Sequence, residues 1–288
     1  MRISYINGEY VDHTHATVHI EDRGYQFSDG VYEVVYIHQG VCIDWQAHME
    51  RLRFSLEGIK INYKVDSETL LKVTQELLAR NNLTNAMLYL QITRGVSARL
   101  HPFPKPSVSP VVVMTIAPCE AGISAKHETG VATITTRDTR WKLRHYKTIS
   151  LLPNVLAKQE AVEQGVEEAI LVEDDGTVTE GSATNIFIVD AHGVLYTHPA
   201  NEAILGGITR QGVIDVAKEN GYAVTEKPFM KERLYDASEM FMTSTTKHIL
   251  PIISCDGKII GDGVVGDVTA SLMDAYRASI LKQQGENV

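Results

Sequence analysis

The sequence predicts an α+β fold, and three features of the 288-residue chain lead to that prediction. Short strand-like runs dominate its beginning, segments of helical periodicity follow, and the later strands do not alternate with helices in βαβ order. The composition, 44% apolar and 22% charged, is that of a globular protein and excludes a disordered, collagenous or coiled-coil chain. This length fits one or two domains with a buried core.

The beginning of the chain predicts two hairpins followed by helices and longer strands. Asn7-Gly8 separates the runs ISYI and EYV, and Gln39-Gly40 lies between VYEVVYI and VCI, so both pairs are predicted to turn tightly. Apolar residues at helical spacing predict helices over WQAHMERLRFSLEGI and SETLLKVTQELLAR. MLYLQITR and VVVMTIA are predicted strands, separated by the proline-rich HPFPKPSVSP.

A change in pattern after this region predicts a domain boundary. The segment from Pro118 to Gly130 contains proline, two glycines and no apolar periodicity. We therefore expect a smaller domain over residues 1–118, a linker over 119–130 and a larger domain over 131–288. The larger domain is predicted to hold helices over PNVLAKQEAVEQG, 209–220 and 267–284, with a strand ending near Arg144. Its other predicted strands are VATITTR, EEAILVE, NIFIVD, VLYT, EMFMTS and ILPIIS.

Charge and cysteine content narrow the classes of function. The net charge of −9 argues against a general nucleic-acid binder or a binder of anionic membranes. Cys42, Cys119 and Cys255 are far apart and form no CxxC pair, so neither a disulfide nor a metal site is predicted, and a reducing cytoplasm is expected. The N-terminus has no signal-peptide core, and the nearly apolar run from Val111 to Ala117 is too short to span a membrane.

Two segments contain residues suited to cofactor chemistry. Lys147, in HYKTISLLPNVLAKQEA, is by itself most simply a solvated loop lysine, but a desolvated lysine can form a Schiff base. Glu180, in TVTEGSATNIF, is predicted in a tight turn, where an acid is usually a turn former. A carboxylate held there can also pair with a protonated heteroaromatic nitrogen.

Other segments predict an anion site. LGGITR places Ile208 and Thr209 at the start of a helix, where free N–H groups and the helix dipole favour an anion. Ser244 and Thr245, in MTSTTKHI, supply further donors. Arg51 can clamp the same anion through two parallel hydrogen bonds, although an exposed helix arginine is the simpler interpretation.

Together, HYKTISLLPNVLAKQEA, TVTEGSATNIF, THPANEAILGGITR and FMTSTTKHI resemble the fold-type IV (class IV) pyridoxal-phosphate enzymes. That family includes branched-chain aminotransferases, D-amino-acid aminotransferases and aminodeoxychorismate lyases. The resemblance covers nearly the whole chain and implies pyridoxal 5'-phosphate as cofactor, a homodimer, and a larger C-terminal domain with a barrel-like sheet. It also implies that Lys147 forms the Schiff base and moves the substrate proton, and that Glu180 binds the pyridine nitrogen. The other implied cofactor-binding residues are Arg51, Leu205, Ile208, Thr209, Ser244 and Thr245.

The branch within the family is indicated by RGYQFSDGVYEVV and TRGVSARLHPFP, which resemble the D-amino-acid aminotransferases. In that branch a Tyr, an Arg and a His bind the substrate carboxylate, and Tyr32, Arg99 and His101 match them. The resemblance implies ping-pong transfer from D-alanine to 2-oxoglutarate, giving pyruvate and D-glutamate. A branched-chain L-amino-acid aminotransferase and an aminodeoxychorismate lyase remain alternatives. Ala183 and Gly206 depart from the branch, which usually has serine and often lysine at these positions.

Overall fold

The structure, a computed structural model, describes residues 2–122 and 124–285 and divides into two compact units. The first unit contains Met1–Glu120 and Tyr146–Ser150, and the second contains Ala121–His145 and Leu151–Val288. Each unit has its own sheet and its own helices, so the predicted α+β class is confirmed. Within the described residues, no helix is both long enough and apolar enough to cross a membrane.

The first unit contains a six-stranded antiparallel sheet in the order β2-β1-β6-β5-β3-β4. Its elements are β1 (Ile3–Ile6), β2 (Glu9–Asp12), a 3₁₀ turn (His13–His15), α1 (Arg23–Phe27), β3 (Gly30–His38), β4 (Val41–Cys42), α2 (Trp45–Gly58), α3 (Ser67–Asn81), β5 (Ala86–Thr93) and β6 (Val111–Pro118). Both predicted hairpins are confirmed. Asn7 and Gly8 have φ angles of 46° and 103°, as a turn of this hand requires.

Helices α2 and α3 supply the apolar residues that cover this sheet. Met49, Leu52 and Leu77 have no exposed surface and join one core with residues of β3 and β5 such as Val35 and Leu88. Burying side chains of this size contributes about 1.5–3 kcal/mol each. The core therefore fixes α2 over β3, which determines where the polar side chains of these two elements lie.

The second unit contains a ten-stranded mixed sheet in the order β12-β11-β10-β14-β15-β7-β8-β9-β13, with β16 paired to β15. Its elements are α4 (Ala125–Thr129), β7 (Val131–Arg137), α5 (Leu152–Glu163), β8 (Glu168–Val172), β9 (Thr177–Gly181), β10 (Asn185–Val189), β11 (Leu195–Thr197), α6 (Ile208–Glu219), β12 (Val224–Glu226), β13 (Phe229–Met230), α7 (Glu232–Tyr235), β14 (Glu239–Ser244), β15 (His248–Cys255), β16 (Lys258–Ile259) and α8 (Asp267–Gly285). Helix α6 packs against β14.

Two local predictions differ from the structure. The expected strand ending near Arg144 does not form, because β7 ends at Arg137 and the chain then folds so that the side chains of Arg140 and Arg144 reach the buried carboxylate of Asp138. Glu180 lies inside β9 rather than in a turn, and the turn comes at 182–184. The first turn of α4 is held by a hydrogen bond between Ser124 and His127.

Candidate active site

Lys147 is held by the first unit although it lies 27 residues beyond that unit's main segment. Its N–H donates to Ser55 Oγ at 3.0 Å, and its carbonyl accepts the N–H of Tyr32 at 3.0 Å. The adjacent Thr148 forms an isolated antiparallel bridge with Val31 of β3. Lysine Nζ lies 4.3 Å from the centre of the Tyr32 ring. These contacts fix the backbone of a half-buried lysine and place its amine against an aromatic face.

The end of α2 makes room for the residue before this lysine. A Cβ atom at Gly58 would lie 2.2 Å from the Tyr146 ring, so only glycine allows this approach. The Tyr146 ring also packs against Phe54, with the ring centres 5.1 Å apart. Tyr146 therefore anchors the short return segment on α2, one residue before Lys147.

Arg51 forms a bidentate ion pair with a residue that the sequence did not single out. Its Nε and Nη2 donate to the two oxygens of Glu33 at 2.9 and 2.8 Å, and His48 Nδ1 lies 2.7 Å from Glu33 Oε2. Burial by itself would raise the pKa of Glu33, but the Arg51 guanidinium lowers that pKa to about 2. Burial lowers the pKa of His48, so the neutral imidazole donates its Nδ1 hydrogen to the ionised carboxylate. The sequence signal that could have revealed this cluster is Glu33 itself, an acid inside an apolar strand, since a buried charge requires a partner.

The three predicted carboxylate-binding residues form two separate groups. Arg99 and His101 share the ring of Phe27, which lies 5.1 Å from the Arg99 guanidinium and 5.6 Å from the His101 ring centre. Tyr32 contacts Lys147 and stacks on Tyr89 with the ring centres 5.7 Å apart. The chain thus brings Tyr32 to the lysine, and brings Arg99 and His101 to the ring of Phe27.

In the second unit, Glu180 belongs to a buried ion cluster. Arg140 donates to both Asp138 and Glu180, and all three side chains are at most 5% exposed. Burial raises the pKa of Glu180 above its ordinary value, against the opposing effect of Arg140. Burial would also raise the pKa of Asp138, but the hydrogen bonds from Arg140 keep it below its ordinary value. Two carboxylates share one guanidinium, so these three groups carry one net negative charge when all are ionised.

Glu180 is also fixed by neutral donors. Leu205 N–H donates to its two oxygens at 3.0 and 3.1 Å, and Asn185 Nδ2 donates to Oε2 at 2.9 Å. Asn185 also donates to the Leu205 carbonyl at 3.0 Å, which links the acid to the loop before α6. Together with Arg140, these donors make four hydrogen bonds to the carboxylate, two on each oxygen. The net negative charge of the cluster suits one further cationic N–H donor, such as a protonated pyridine nitrogen.

The predicted anion-binding residues of the second unit lie at one end of neighbouring strands. Helix α6 begins after Gly207, a residue that has no side chain with which to cap the first N–H groups of the helix. A Cβ atom at Gly207 would lie 2.0 Å from Asn185 Oδ1, and Asn185 pairs directly with Thr243. Ser244 and Thr245 come next in the chain. The start of α6, carrying Ile208 and Thr209, therefore lies at the strand end where these hydroxyl groups are found.

A buried polar atom marks the same region. Among the residues that the structure describes, the Thr243 hydroxyl is buried and has no hydrogen-bond partner. Thr243 and Asn185 are opposite each other in an antiparallel pair, so their side chains extend from the same face of the sheet. An unsatisfied hydroxyl beside a helix N-terminus and an acid–amide pair fits a site for a polar ligand with an anionic group.

Comparisons with known proteins identify the family of the chain. Residues 30–255 match the family described as "Amino-transferase class IV". A D-alanine aminotransferase of Bacillus licheniformis is 38% identical over 282 residues, 98% of each chain. One from Listeria monocytogenes is 40% identical over 284 residues, again 98% of each chain.

Solved structures resemble the fold over nearly its whole length. The branched-chain amino acid aminotransferase of Escherichia coli has a TM-score of 0.89 and 28% identity, covering 97% of this chain and 94% of that one. The branched-chain aminotransferase of Thermoproteus uzoniensis, solved with norvaline, scores 0.87 at 28% identity, covering 99% and 96%. The chain belongs to the class IV aminotransferase family and is an aminotransferase enzyme. That family uses pyridoxal 5'-phosphate, whose ring nitrogen is a donor of the kind that Glu180 can accept.

Proposed function

We propose that this chain is a D-amino-acid aminotransferase that converts D-alanine and 2-oxoglutarate to pyruvate and D-glutamate. The observation that carries the proposal is the similarity over 98% of the chain to D-alanine aminotransferases, at 38–40% identity. Two residues of the chain support it, because Arg99 and His101 share one aromatic ring and together present donors suited to a carboxylate.

In this proposal Lys147 and Glu180 act on pyridoxal 5'-phosphate. When bound, that cofactor supplies an electron-poor ring that delocalises the electron pair left on the substrate Cα after its proton departs. Lys147 Nζ holds the cofactor between turnovers and otherwise moves the proton to and from Cα. Its fixed backbone and the neighbouring Tyr32 ring limit the positions of the amine, as proton transfer requires. Glu180 holds the ring nitrogen in its protonated form.

The remaining cofactor contacts follow from the anion-binding donors. We assign the phosphate to Ile208 and Thr209 at the start of α6, to the hydroxyl groups of Ser244 and Thr245, and to Arg51. The bidentate pair with Glu33 fixes the orientation of the Arg51 guanidinium before any ligand arrives. Leu205, whose N–H holds Glu180, is assigned to pack against the cofactor ring.

The substrate carboxylate is assigned to Tyr32, Arg99 and His101. A guanidinium, an imidazole N–H and a phenol hydroxyl offer charge-assisted and neutral donors to one carboxylate. Holding this group on a fixed side determines whether the hydrogen or the side chain of Cα faces Lys147. The selection of the D-enantiomer then follows from where the carboxylate is bound.

We also propose that the enzyme is a homodimer in a reducing cytoplasm, with functional domains over residues 1–118 and 131–288 joined by 119–130. The three cysteines, Cys42, Cys119 and Cys255, are free thiols, as a reducing compartment maintains them. Sedimentation of the holoenzyme tests the dimer, for which a mass of twice 31.9 kDa is expected.

A branched-chain L-amino-acid aminotransferase is the second candidate, favoured by TM-scores of 0.89 and 0.87 to solved branched-chain enzymes. Their identity of 28% is lower than the 38–40% shared with the D-alanine enzymes. Steady-state assays of the purified holoenzyme with D-alanine, L-alanine and L-leucine, each with 2-oxoglutarate, separate the two candidates. We expect D-alanine to be used best, and a preference for L-leucine overturns the proposal. Release of pyruvate from aminodeoxychorismate without an amino acceptor would instead reveal a lyase.

A further inference from the structure

Arg23 connects α1 to the segment that carries Arg99 and His101. Its side chain is 4% exposed, and Nε donates to Asp29 Oδ2 at 2.8 Å. Its Nη1 donates to the Leu100 carbonyl at 2.6 Å and its Nη2 to the His101 carbonyl at 3.3 Å. One guanidinium therefore binds the two backbone carbonyls on either side of the His101 Cα, in a segment with no helix or strand of its own.

Phe27, at the end of α1, provides a surface for the side chains of the same segment. The guanidinium of Arg23 lies 4.8 Å from its ring centre and that of Arg99 lies 5.1 Å away. The His101 ring centre is 5.6 Å away, with the two planes at 57°. Cations and tilted rings are attracted to an aromatic ring at these distances. Phe27 thus fixes the spacing between Arg99 and His101.

Helix α1 is itself tightly anchored to the sheet. Asp22 Oδ1 accepts the N–H of Gly24 at 2.8 Å, and Asp22 Oδ2 accepts the hydroxyl of Thr93, at the end of β5, at 2.9 Å. A Cβ atom at Gly24 would lie 2.3 Å from Thr93 Cγ2, so the helix lies directly on the strand. Arg94 donates to both oxygens of Asp29. The platform formed by Arg23 and Phe27 is therefore rigid with respect to the sheet.

We propose that Arg23 and Phe27 are positioning residues for the substrate carboxylate, and the inference rests on the proposed function. They hold Arg99 and His101 in the arrangement that binds the carboxylate before substrate arrives. The residues around this pair are exposed, with Leu100 at 65% and Phe103 at 50%. Without the platform, Arg99 and His101 would have more freedom in the free enzyme, and the loss of that freedom on binding would weaken the binding of substrate.

The test compares Phe27→Leu, Phe27→Tyr and Arg23→Lys with the parent holoenzyme. Two constants are measured, the KM for D-alanine and the inhibition constant of propionate, a carboxylate of similar size without an amine. We expect Phe27→Leu to raise both about fivefold, which corresponds to about 1 kcal/mol, with kcat within about twofold. Phe27→Tyr retains the ring and should restore both constants to within about twofold of the parent. Arg23→Lys keeps the positive charge but cannot donate to the Leu100 and His101 carbonyls as the planar guanidinium does, and it should raise both constants.

Tyr25→Leu is the matched control, because Tyr25 is an aromatic residue of the same helix that is 77% exposed. It should leave both constants within about twofold of the parent. Unchanged constants in Phe27→Leu overturn the inference, as does a fall in kcat with an unchanged propionate constant, which would show a merely structural role. An equal effect of Tyr25→Leu also overturns it. If the parent enzyme does not use D-alanine, both the proposed function and this inference are overturned. If the parent uses D-alanine, the proposed function stands whatever the variants show.

Discussion

Glu33 and Glu180 are both buried carboxylates, yet their surroundings shift their pKa values in opposite directions. Burial acts to raise the pKa of both, but Glu33 receives two hydrogen bonds from Arg51 and one from His48, whereas Glu180 shares Arg140 with Asp138. The Arg51 guanidinium lowers the pKa of Glu33 to about 2. The shared cation leaves Glu180 short of positive charge, which is the property required of a residue that attracts a protonated ring nitrogen.

Glu180→Gln is expected to retain the fold and the cofactor but to lower the rate of the D-alanine half-reaction by about two orders of magnitude. The amide still accepts the Leu205 N–H, but it has no charge with which to hold the ring nitrogen protonated. Single-turnover absorbance measurements give the rate. Asp174→Asn, which removes an exposed carboxylate of the same unit, is the control and should leave the rate unchanged. An unaltered rate in Glu180→Gln would mean that Glu180 only shapes its strand.

Glu33→Gln is expected to change how stability depends on pH. The pKa of Glu33 is about 2 in the folded chain and 4.5 ordinarily. The stabilisation of the folded chain by ionised Glu33 is therefore complete above about pH 4.5 and is lost as the pH falls towards 2. This loss lowers the free energy of unfolding by about 3 kcal/mol. Urea unfolding between pH 7 and 2.5 should show this decline in the parent and a flatter curve in Glu33→Gln, which is less stable at pH 7. Glu50→Gln, an exposed acid on α2, should keep the parent's slope, and a parent-like slope in Glu33→Gln would refute the assignment.

Arg99→Ala and His101→Ala are expected to weaken the use of D-alanine while the cofactor stays bound. A charge-assisted hydrogen bond contributes about 1.5–3 kcal/mol, so kcat/KM for Arg99→Ala should fall by about one to two orders of magnitude. Cofactor content, measured by absorbance, should be that of the parent because the phosphate is assigned to other residues. A kcat/KM within about twofold of the parent would remove Arg99 from the site.

At the scale of elements, the second unit gathers its candidate residues at one end of β10 and β14. Asn185 begins β10, Ser244 ends β14, and α6 starts against Asn185. Helix N-termini provide N–H donors that side chains alone do not. The position of the anion site is therefore set by strand register and by one close helix–strand approach.

The two glycines before α6 allow a direct test of that approach. Gly207→Ala would place Cβ 2.0 Å from Asn185 Oδ1, whereas Gly206→Ala would meet only Ala200 Cβ at 3.7 Å. We expect Gly207→Ala to lower the free energy of unfolding by about 1–3 kcal/mol and to weaken the binding of pyridoxal 5'-phosphate, because Asn185 must move. Gly206→Ala should match the parent in both. Calorimetry and cofactor titration measure the effects, and equal behaviour of the two variants would refute the role given to this contact.

At the scale of the whole molecule, local sequence patterns predicted helices and strands. Long-range contacts, which those patterns do not predict, bring together segments that are distant in the sequence. The turn at Asn7-Gly8 and the periodicity of α2 and α3 are local, and the structure contains all of them. The return of Tyr146–Ser150 to the first unit depends on long-range contacts with β3 and α2, among them an isolated bridge, a hydrogen bond to Ser55 and a close approach at Gly58, for which no periodicity exists. The partner of Arg51 was likewise missed, because Glu33 lies 18 residues away on another element.

Local context singled out Lys147, Glu180 and the predicted anion-binding residues, and the resemblance to a family added Leu205 and the carboxylate-binding residues. The structure adds their surroundings. Glu180 was predicted to bind the pyridine nitrogen. Its pairing with Arg140 was not predicted, because the two residues are 40 positions apart and no local pattern relates them. The grouping of Arg99 and His101 on Phe27 depends on α1, whose five residues are too few for a periodic signal. Side-chain networks of this kind are set by tertiary packing, which local sequence patterns do not contain.

The central claim, transamination of D-amino acids, is tested most directly by the chirality of the product. The purified holoenzyme is incubated with racemic alanine and 2-oxoglutarate, and the glutamate formed is resolved on a chiral column. The account predicts D-glutamate, with D-alanine consumed and L-alanine left. Formation of L-glutamate with consumption of L-alanine would contradict it.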